Sequence, residues 1–100
     1  MPELTGAQKK YLRGLAHGLK PVVRVGRGGL TDGLFDSLDQ ALDSHELVKV
    51  KFADHQDRKR QLAAEIDDRL DTVQAGSIGH VVIFYRPARD PEKRTIRLPG

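Results

Sequence analysis

The segment His80–Tyr85, HVVIFY, constrains the fold most, because it is apolar on both faces of any strand that it forms. An amphipathic strand can leave one face in water, whereas a strand that is apolar on both faces is stable only inside a sheet that is covered on both sides. We therefore expect this strand to be central in its sheet. Helices must cover one face of that sheet, and either the first helix or the C-terminal tail must cover the other.

The chain reads as alternating helices and strands in the order α-β-α-β-α-β-β, which predicts an α/β protein with a mixed four-stranded sheet. Thr5 and Gln8 have the spacing of a capping box, and Pro21 has to end the helix that they begin. The other predicted elements are a strand at Pro21–Val25, a helix from Thr31 to about Ser44, a strand at Leu47–Phe52, a helix from about Asp57, and strands at Thr72–Ile78 and His80–Tyr85. The tail could add at most a short edge strand at Thr95–Leu98.

The first two helices each carry an apolar stripe that predicts a buried face. The stripes consist of Leu12, Leu15, Ala16 and Leu19 in the first helix, and of Leu34, Leu38, Ala41 and Leu42 in the second, with Phe35 at the edge. The strand Leu47–Phe52 alternates between apolar and basic residues. Its alternation places Lys49 and Lys51 on a face that we expect to be in water.

The 100 residues are expected to form one domain, residues 1–100, with a core over about residues 4–87 and a tail at 88–100. The chain contains no cysteine, which excludes disulfides, thiolate metal sites and cysteine nucleophiles. Its longest apolar run, Val81–Tyr85, is far shorter than the roughly 20 residues of a membrane span, and the first residues lack the apolar segment of a signal peptide. We therefore expect a cytoplasmic protein with no membrane partner.

The net charge of +3 conceals a segregation of charge along the chain. Residues 1–30 contain six basic residues and one acidic residue, whereas residues 31–48 contain five acidic residues and no basic one. Residues 49–60 and 81–100 are each net positive by three, and residues 61–80 are net negative by three. Clustered lysine and arginine favour a polyanionic ligand, since they displace condensed counterions from a phosphate backbone. The alternative is an uneven surface that is simply solvated.

The segment KPVVRVGRGGLTDG, residues 20–33, is the best candidate for a binding site. Glycines at 26, 28 and 29 let the backbone turn tightly just before a helix N-terminus, and this geometry can hold an anion beside Lys20, Arg24 and Arg27. The segment lacks the Gly-Lys-Ser/Thr of a P-loop and the third glycine of a dinucleotide fingerprint. It fits the pattern GxxG, by which KH-type domains clamp a nucleotide backbone. A purely structural turn from strand to helix is the alternative.

Three separated segments agree in order and spacing with one known family. They are LTGAQKKYLRGLAHGLKPVVRVGRGGLTDG, HELVKVKF and IGHVVIFYRP, which lie within Leu4–Pro87. In these segments the chain resembles the YhbY or CRM family, the small RNA-binding module of bacterial ribosome assembly that recurs in organellar intron-splicing factors. The resemblance implies a two-layer α/β fold similar to the C-terminal domain of the bacterial initiation factor that keeps ribosomal subunits apart. It also implies association with ribosomal RNA in precursors of the large subunit.

The family's GxxG loop falls on Gly26, Arg27, Gly28 and Gly29. We expect one patch of cations around this loop, extended by two lysines of the following strand; its members are Lys10, Arg13, Lys20, Arg24 and Arg27, with Lys49 and Lys51. Arg58, Lys59 and Arg60 stand at the start of the third helix, where cations oppose the helix dipole. They are either a second phosphate contact or a solvated helix start.

An acidic stripe on the second helix supports a rival hypothesis, in which the protein is an adaptor that binds other proteins through this helix. The stripe consists of Asp32, Asp36, Asp39 and Asp43, and its other interpretation is a solvated face. The four histidines lack metal-ligand spacing, and the serines lack a nucleophile context, so we expect no metal, no cofactor and no enzymatic activity. The leading hypothesis is a monomeric, non-enzymatic RNA-binding protein that assists large-subunit assembly, with ribosomal proteins as further partners.

Overall fold

A computed structural model describes residues 3–100. Three helices of this part of the chain pack on a mixed four-stranded sheet, which confirms the predicted fold class. The elements are α1 (Gly6–Ala16), β1 (Pro21–Val25), α2 (Asp32–His45), β2 (Leu47–Phe52), α3 (Lys59–Leu70), β3 (Val73–Ile78) and β4 (Val81–Tyr85), with one-turn 3₁₀ segments at Gln56–Arg58 and Pro91–Lys93. Thr5 and Gln8 form the predicted capping box at the start of α1.

The strand order is β1-β2-β4-β3, so β4 lies between two neighbours, as its apolar composition predicts. β1 pairs with β2 in parallel, and β4 pairs with β2 and β3 in antiparallel fashion. Because of this register, Val25, Phe52 and Val81 meet at one end of the sheet, which we call the loop end. Pro21 and Tyr85 stand at the opposite end, which we call the far end.

The sheet is covered on both faces, and each face has its own core. On the α2–α3 face, strand side chains such as Val50 and Phe84 pack against the two longer helices. On the α1 face, Ile83 and Tyr85 pack against α1. The tail also contributes to this second cover through Ile96 and Leu98. Both α1 and the tail therefore supply the second cover that the strand β4 requires.

Two details of the predicted helices are wrong. The first helix ends at Ala16, and the chain then turns toward β1, with the Leu19 N–H donating to the Ala16 carbonyl at 2.9 Å. Leu19 therefore lies outside the helix and is 42% exposed, and Leu15, in the last turn of α1, is 44% exposed, although the apolar stripe predicts that both are buried. In α2, Phe35 is buried in the core on the α2–α3 face and not at the edge, and the Arg69 guanidinium of α3 lies 4.1 Å from the centre of its ring.

The predicted edge strand at Thr95–Leu98 is absent, because a carboxylate takes the backbone hydrogen bonds that a neighbouring strand would accept. Glu46, which is 1% exposed, follows α2 with a positive φ of 63°. Its Oε1 accepts hydrogen bonds from the N–H groups of Thr95 at 2.7 Å and Ile96 at 3.1 Å, and its Oε2 accepts one from Ala88 at 2.9 Å. Glu46 thus anchors the tail across the α1 face at the far end of the sheet.

Candidate nucleic-acid interface

The glycine loop, Gly26–Gly29, links the end of β1 to α2 at the loop end of the sheet. The Gly29 N–H donates to the Gly26 carbonyl at 3.0 Å and closes a tight turn. Gly29 has φ +69°, a conformation that favours glycine, whereas Gly28 lies outside the left-handed region. Thr31 then caps α2 by accepting a hydrogen bond from the Leu34 N–H at 3.1 Å. The turn and the cap together fix the loop directly in front of the helix N-terminus.

A second loop, residues 53–58, supports the glycine loop from the side. The N–H groups of Ala53 and Asp54 both donate to the Val25 carbonyl at 3.0 Å. His55 places its Nε2 2.8 Å from the Arg27 carbonyl, and because a carbonyl only accepts, this nitrogen is the donor. His55 itself has φ 55°, with its N–H donating to Asp54 Oδ1 at 2.7 Å. The backbone of the glycine loop is therefore held by a side chain that is 28 residues further along the chain.

This role of His55 was not predicted from the sequence, where the histidines were considered as metal ligands. The order of the strands could have indicated this role. β1 and β2 are parallel neighbours, so the loops that follow them leave the sheet at the same end. A polar residue just after β2 was therefore in reach of the loop after β1.

The two loops and α3 enclose an open cavity of about 260 Å³. It is lined by Arg27, Gly28, Gly29, Leu30, His55, Arg58, Leu62 and Glu65. Arg58 therefore shares a cavity with the glycine loop. Glu65 is the acidic residue in this lining, and it opposes an anion at the α3 side of the cavity.

The three cations at the start of α3 have different surroundings. Lys59 donates from its Nζ to Ser77 Oγ at 3.0 Å and to the Gly79 carbonyl at 2.6 Å, which ties the start of α3 to the turn between β3 and β4. Arg60 borders a separate cavity beside Lys59. Of these three, Arg58 is the one that the structure places with the glycine loop.

Arg24 and Lys51 lie side by side on the α1 face, near the loop end of the sheet. The two residues are register partners in β1 and β2, and both are exposed. Lys49 projects from the same face, but its Nζ donates to the Leu19 carbonyl at 2.9 Å and so helps to hold the connection between α1 and β1. Arg24 and Lys51 are thus the strand cations that remain directed to solvent next to the glycine loop.

The prediction of a single patch is wrong, because the structure separates three of its members, Lys20, Arg13 and Lys10, from the loop. Lys20 precedes β1 at the far end, and the length of β1, about 13 Å at 3.3 Å per residue, lies between it and Gly26. Arg13 donates from its Nη1 to the Ala75 carbonyl of β3 at 3.1 Å, and its side chain crosses Gly76. β3 and β1 are opposite edges of the sheet, about 14 Å apart at 4.8 Å per strand.

The close packing of the Arg13 side chain explains why position 76 is a glycine. A Cβ on Gly76 would lie 2.7 Å from the Cδ of Arg13, so a larger residue there would displace this arginine. Lys10 is exposed one turn earlier on α1. The α1 cations therefore form a second basic region, over β3, separate from the glycine loop.

The acidic stripe of α2 is largely occupied by intramolecular ion pairs. Arg86, whose side chain is 6% exposed, donates to Asp39 Oδ1 at 2.7 Å and to Asp43 Oδ1 at 3.1 Å. Arg89 pairs with the same two carboxylates. Burial opposes ionisation of Asp39, but the hydrogen bonds from Arg86 and Arg89 outweigh it and lower the pKa of this carboxyl below its ordinary value. Asp39 and Asp43 thus connect α2 to the chain after β4, which corrects the interpretation as a solvated face for this half of the stripe, whereas Asp32 and Asp36 are exposed.

Residues 3–100 contain neither a metal-binding cluster nor a membrane-spanning helix. No group of three or more histidine and acidic side chains in this range is arranged to hold a metal ion. None of its helices has the length and the apolar character needed to cross a membrane.

Comparison with known proteins gives consistent results. The family model of the CRS1 / YhbY (CRM) domain matches residues 4–86. An RNA-binding protein of Haemophilus influenzae is 41% identical over 100 residues, which are 99% of this chain and 98% of that protein. The probable RNA-binding protein YqeI of Bacillus subtilis is 34% identical over 99 residues, which are 96% of this chain and 99% of that protein.

A solved structure agrees with the same assignment. The solution structure of a hypothetical protein from Staphylococcus aureus superposes with a TM-score of 0.78 at 32% identity. The match covers 96% of this chain and 99% of that one. On the family model, the curated relatives and the shared fold, this chain belongs to the CRS1 / YhbY (CRM) domain family.

Proposed function

We propose that this protein binds RNA without catalysing a reaction on it, and that the glycine loop holds a phosphate group of the RNA backbone. One observation carries the proposal: the glycine loop and the 53–58 loop border one open cavity that also receives Arg27 and Arg58, directly before the N-terminus of α2. Loop amides, the positive end of the helix dipole and two guanidinium groups all favour a phosphate at that place. The names of the relatives in Haemophilus influenzae and Bacillus subtilis support RNA as the ligand.

The finer part of the proposal is that the RNA is ribosomal RNA within large-subunit precursors, and that the protein assists their assembly as a cytoplasmic monomer next to ribosomal proteins. It is supported by the resemblance of the three sequence segments to the YhbY group. The aromatic residues support recognition of backbone and shape over base sequence. Of the five, Phe35, Phe52, Phe84 and Tyr85 are buried, which leaves no platform of stacked aromatic rings.

The test of phosphate binding is the substitution Gly28→Asp. A Cβ at Gly28 meets Thr31 Cγ2 at 3.4 Å, an ordinary contact, whereas any side chain at Gly29 is strained by its φ of +69°. Gly28→Asp therefore puts a negative charge in the cavity of a folded protein. We expect it to weaken binding to ribosomal RNA fragments at least tenfold, measured by fluorescence anisotropy at several salt concentrations.

Two variants serve as controls for this test. Gly28→Ala adds the same Cβ without a charge, and we expect affinity within about threefold of the unaltered protein. Gly33→Asp adds the same charge in the first turn of α2, where nothing lies within 4 Å of a Cβ, and acidic residues are favoured there. Unchanged affinity of Gly28→Asp, or no affinity of the unaltered protein for RNA at low salt, would refute phosphate binding at this loop.

The ribosomal part of the proposal needs a separate measurement. We expect the tagged protein to sediment with large-subunit precursors in a sucrose gradient of cell extract, and the Gly28→Asp variant to remain at the top. Sedimentation of both forms away from every ribosomal particle would contradict the assembly role. RNA binding measured in vitro would not be affected by that outcome.

A further inference from the structure

One row of residues crosses the α1 face of the sheet at the loop end. Arg24 in β1 is the register partner of Lys51 in β2, Lys51 is opposite Val81 in β4, and Val81 is opposite Ile78 in β3. Register partners on neighbouring strands project to the same side of a sheet, so these four side chains form a continuous line. We call this line the loop-end row; it spans the three strand spacings, about 14 Å.

The loop-end row is not covered by α1 or by the tail. Ile78 is 66% exposed, the highest exposure among the large apolar side chains of residues 3–100. Val81 is half-buried, and Arg24 and Lys51 are exposed. The cover on this face lies toward the far end, where the tail is held by Glu46. Next to the row, a depression of about 140 Å³ is lined by Pro21, Lys49, Ile78, Val81 and Ile83.

The charge around the row favours a polyanion as its occupant. The charged strand residues that project to this face are Arg24, Lys49 and Lys51, and no acidic side chain of the strands projects there. Arg24 also lies two residues before the first glycine of the glycine loop. A strand of nucleic acid held at the loop by a phosphate can therefore continue onto the row without meeting an acidic strand residue.

We propose that the loop-end row is a base-binding subsite for single-stranded RNA. Bases lie on the apolar half, Ile78 and Val81, while backbone phosphates contact Arg24 and Lys51. An unpaired base can present its flat face to an apolar surface, whereas the bases of a duplex are stacked inside the helix and present only their edges. This inference rests on the proposed function, and it adds the class of RNA that the site prefers.

The decisive substitution is Ile78→Thr, which keeps a β-branched residue in an edge strand and removes its apolar surface. We expect it to weaken binding to a single-stranded 12-nucleotide RNA of adenosine and uridine by about fivefold, because a base contact is lost. The slope of log affinity against log salt should stay unchanged, because no charge is removed. Lys51→Gln, in contrast, lowers that slope by about one. For a hairpin duplex with the same number of phosphates, Ile78→Thr stays within twofold of the unaltered protein.

Val22→Thr is the matched control, because Val22 is 44% exposed, lines a cavity with Leu15 of α1 and Leu19, and lies in β1 outside the row. We expect it to bind the single-stranded RNA like the unaltered protein. The subsite is refuted if Ile78→Thr binds the single strand with full affinity, or if Val22→Thr or the duplex shows the same loss. The proposed function fails separately, through absence of RNA binding by the unaltered protein. A dimer that dissociates on Ile78→Thr in analytical ultracentrifugation would reassign the row to a second copy of this chain and overturn the inference.

Discussion

The two faces of the sheet differ in charge and in the way they are packed. On one side, α1 and β1 with their connection contain five lysine and arginine residues and no acidic residue. On the other side, α2 contains four aspartates and no basic residue other than His45. The described α2–α3 core has thirteen buried residues, and the α1 core has seven. The larger core leaves its face closed, whereas the smaller core leaves the loop-end row open.

The arginines on the two sides are used in different ways. Arg86 and Arg89 are paired with Asp39 and Asp43, and Arg86 also donates to the Leu70 carbonyl at 3.0 Å. Within residues 3–100, no ion pair involves Arg24, Arg27 or Lys51. The comparison indicates that cations on the acidic side stabilise the fold, while those near the glycine loop are available to a ligand.

The largest effect that tests this division is expected from Arg86→Met. Removal of the buried guanidinium leaves Asp39 and Asp43 with one exposed partner and the Leu70 carbonyl without a donor, so the free energy of unfolding should fall by about 3 kcal/mol. Arg89→Met removes a side chain that is 64% exposed and should cost less than about 1 kcal/mol. Urea denaturation measures both.

RNA affinity provides the other half of this test. At a temperature where both variants are folded, Arg86→Met and Arg89→Met should bind RNA like the unaltered protein. If either variant lost RNA affinity as strongly as Gly28→Asp, the division between a stabilising and a binding set of arginines would be wrong.

A medium effect is expected from the anchor of the tail on the α1 face. Burial opposes ionisation of Glu46, but hydrogen bonds from Thr95, Ala88 and Ile96 outweigh it and hold its pKa below the ordinary 4.5. A depressed pKa stabilises the folded state fully above about pH 4.5, and this contribution is lost as the pH falls through the folded-state pKa. Glu46→Gln should cost about 2 kcal/mol at neutral pH, because one amide N–H then faces a backbone N–H.

Thermal denaturation between pH 3 and pH 7 measures this contribution. The melting temperature of the Glu46→Gln variant should fall less steeply below about pH 4.5 than that of the unaltered protein. If the melting temperatures of the two proteins differed by the same amount at every pH, Glu46 would not titrate with unfolding. The prediction that Glu46 anchors the tail as an ionised carboxylate would then be wrong.

The smallest effect is expected from single cations of the two basic regions. Arg27→Gln should reduce RNA affinity a few-fold for all sequences and lower the salt slope by about one, without a change in stability. Arg13→Gln should lower the free energy of unfolding by about 1 kcal/mol, since Arg13 donates to the Ala75 carbonyl. Binding isotherms at four salt concentrations and urea denaturation separate the two outcomes. An equal decrease of the salt slope in both variants would show that Arg13 and Arg27 belong to one continuous patch.

Much of the fold was predictable from short-range patterns. The capping box at Thr5 and Gln8 depends on the spacing of these two residues, the central position of β4 depends on its apolar composition, and the structure has both. The site was predictable only where its parts are adjacent in sequence, as in the glycine loop. Lys20 was predicted to flank the glycine loop. This prediction was wrong because the extended strand β1 lies between Lys20 and the loop and separates them by its length.

What the sequence by itself determined is the periodicity of each element, the tight turn at Gly29 and the sign of charge on each segment, because these depend on neighbours within a few residues. The tertiary structure alone decided that His55 holds Arg27, that Glu46 anchors the tail, that Arg86 occupies the aspartates of α2, and that Arg24, Lys51, Val81 and Ile78 form one row. These contacts depend on the order and register of four strands, which bring together residues from distant parts of the chain.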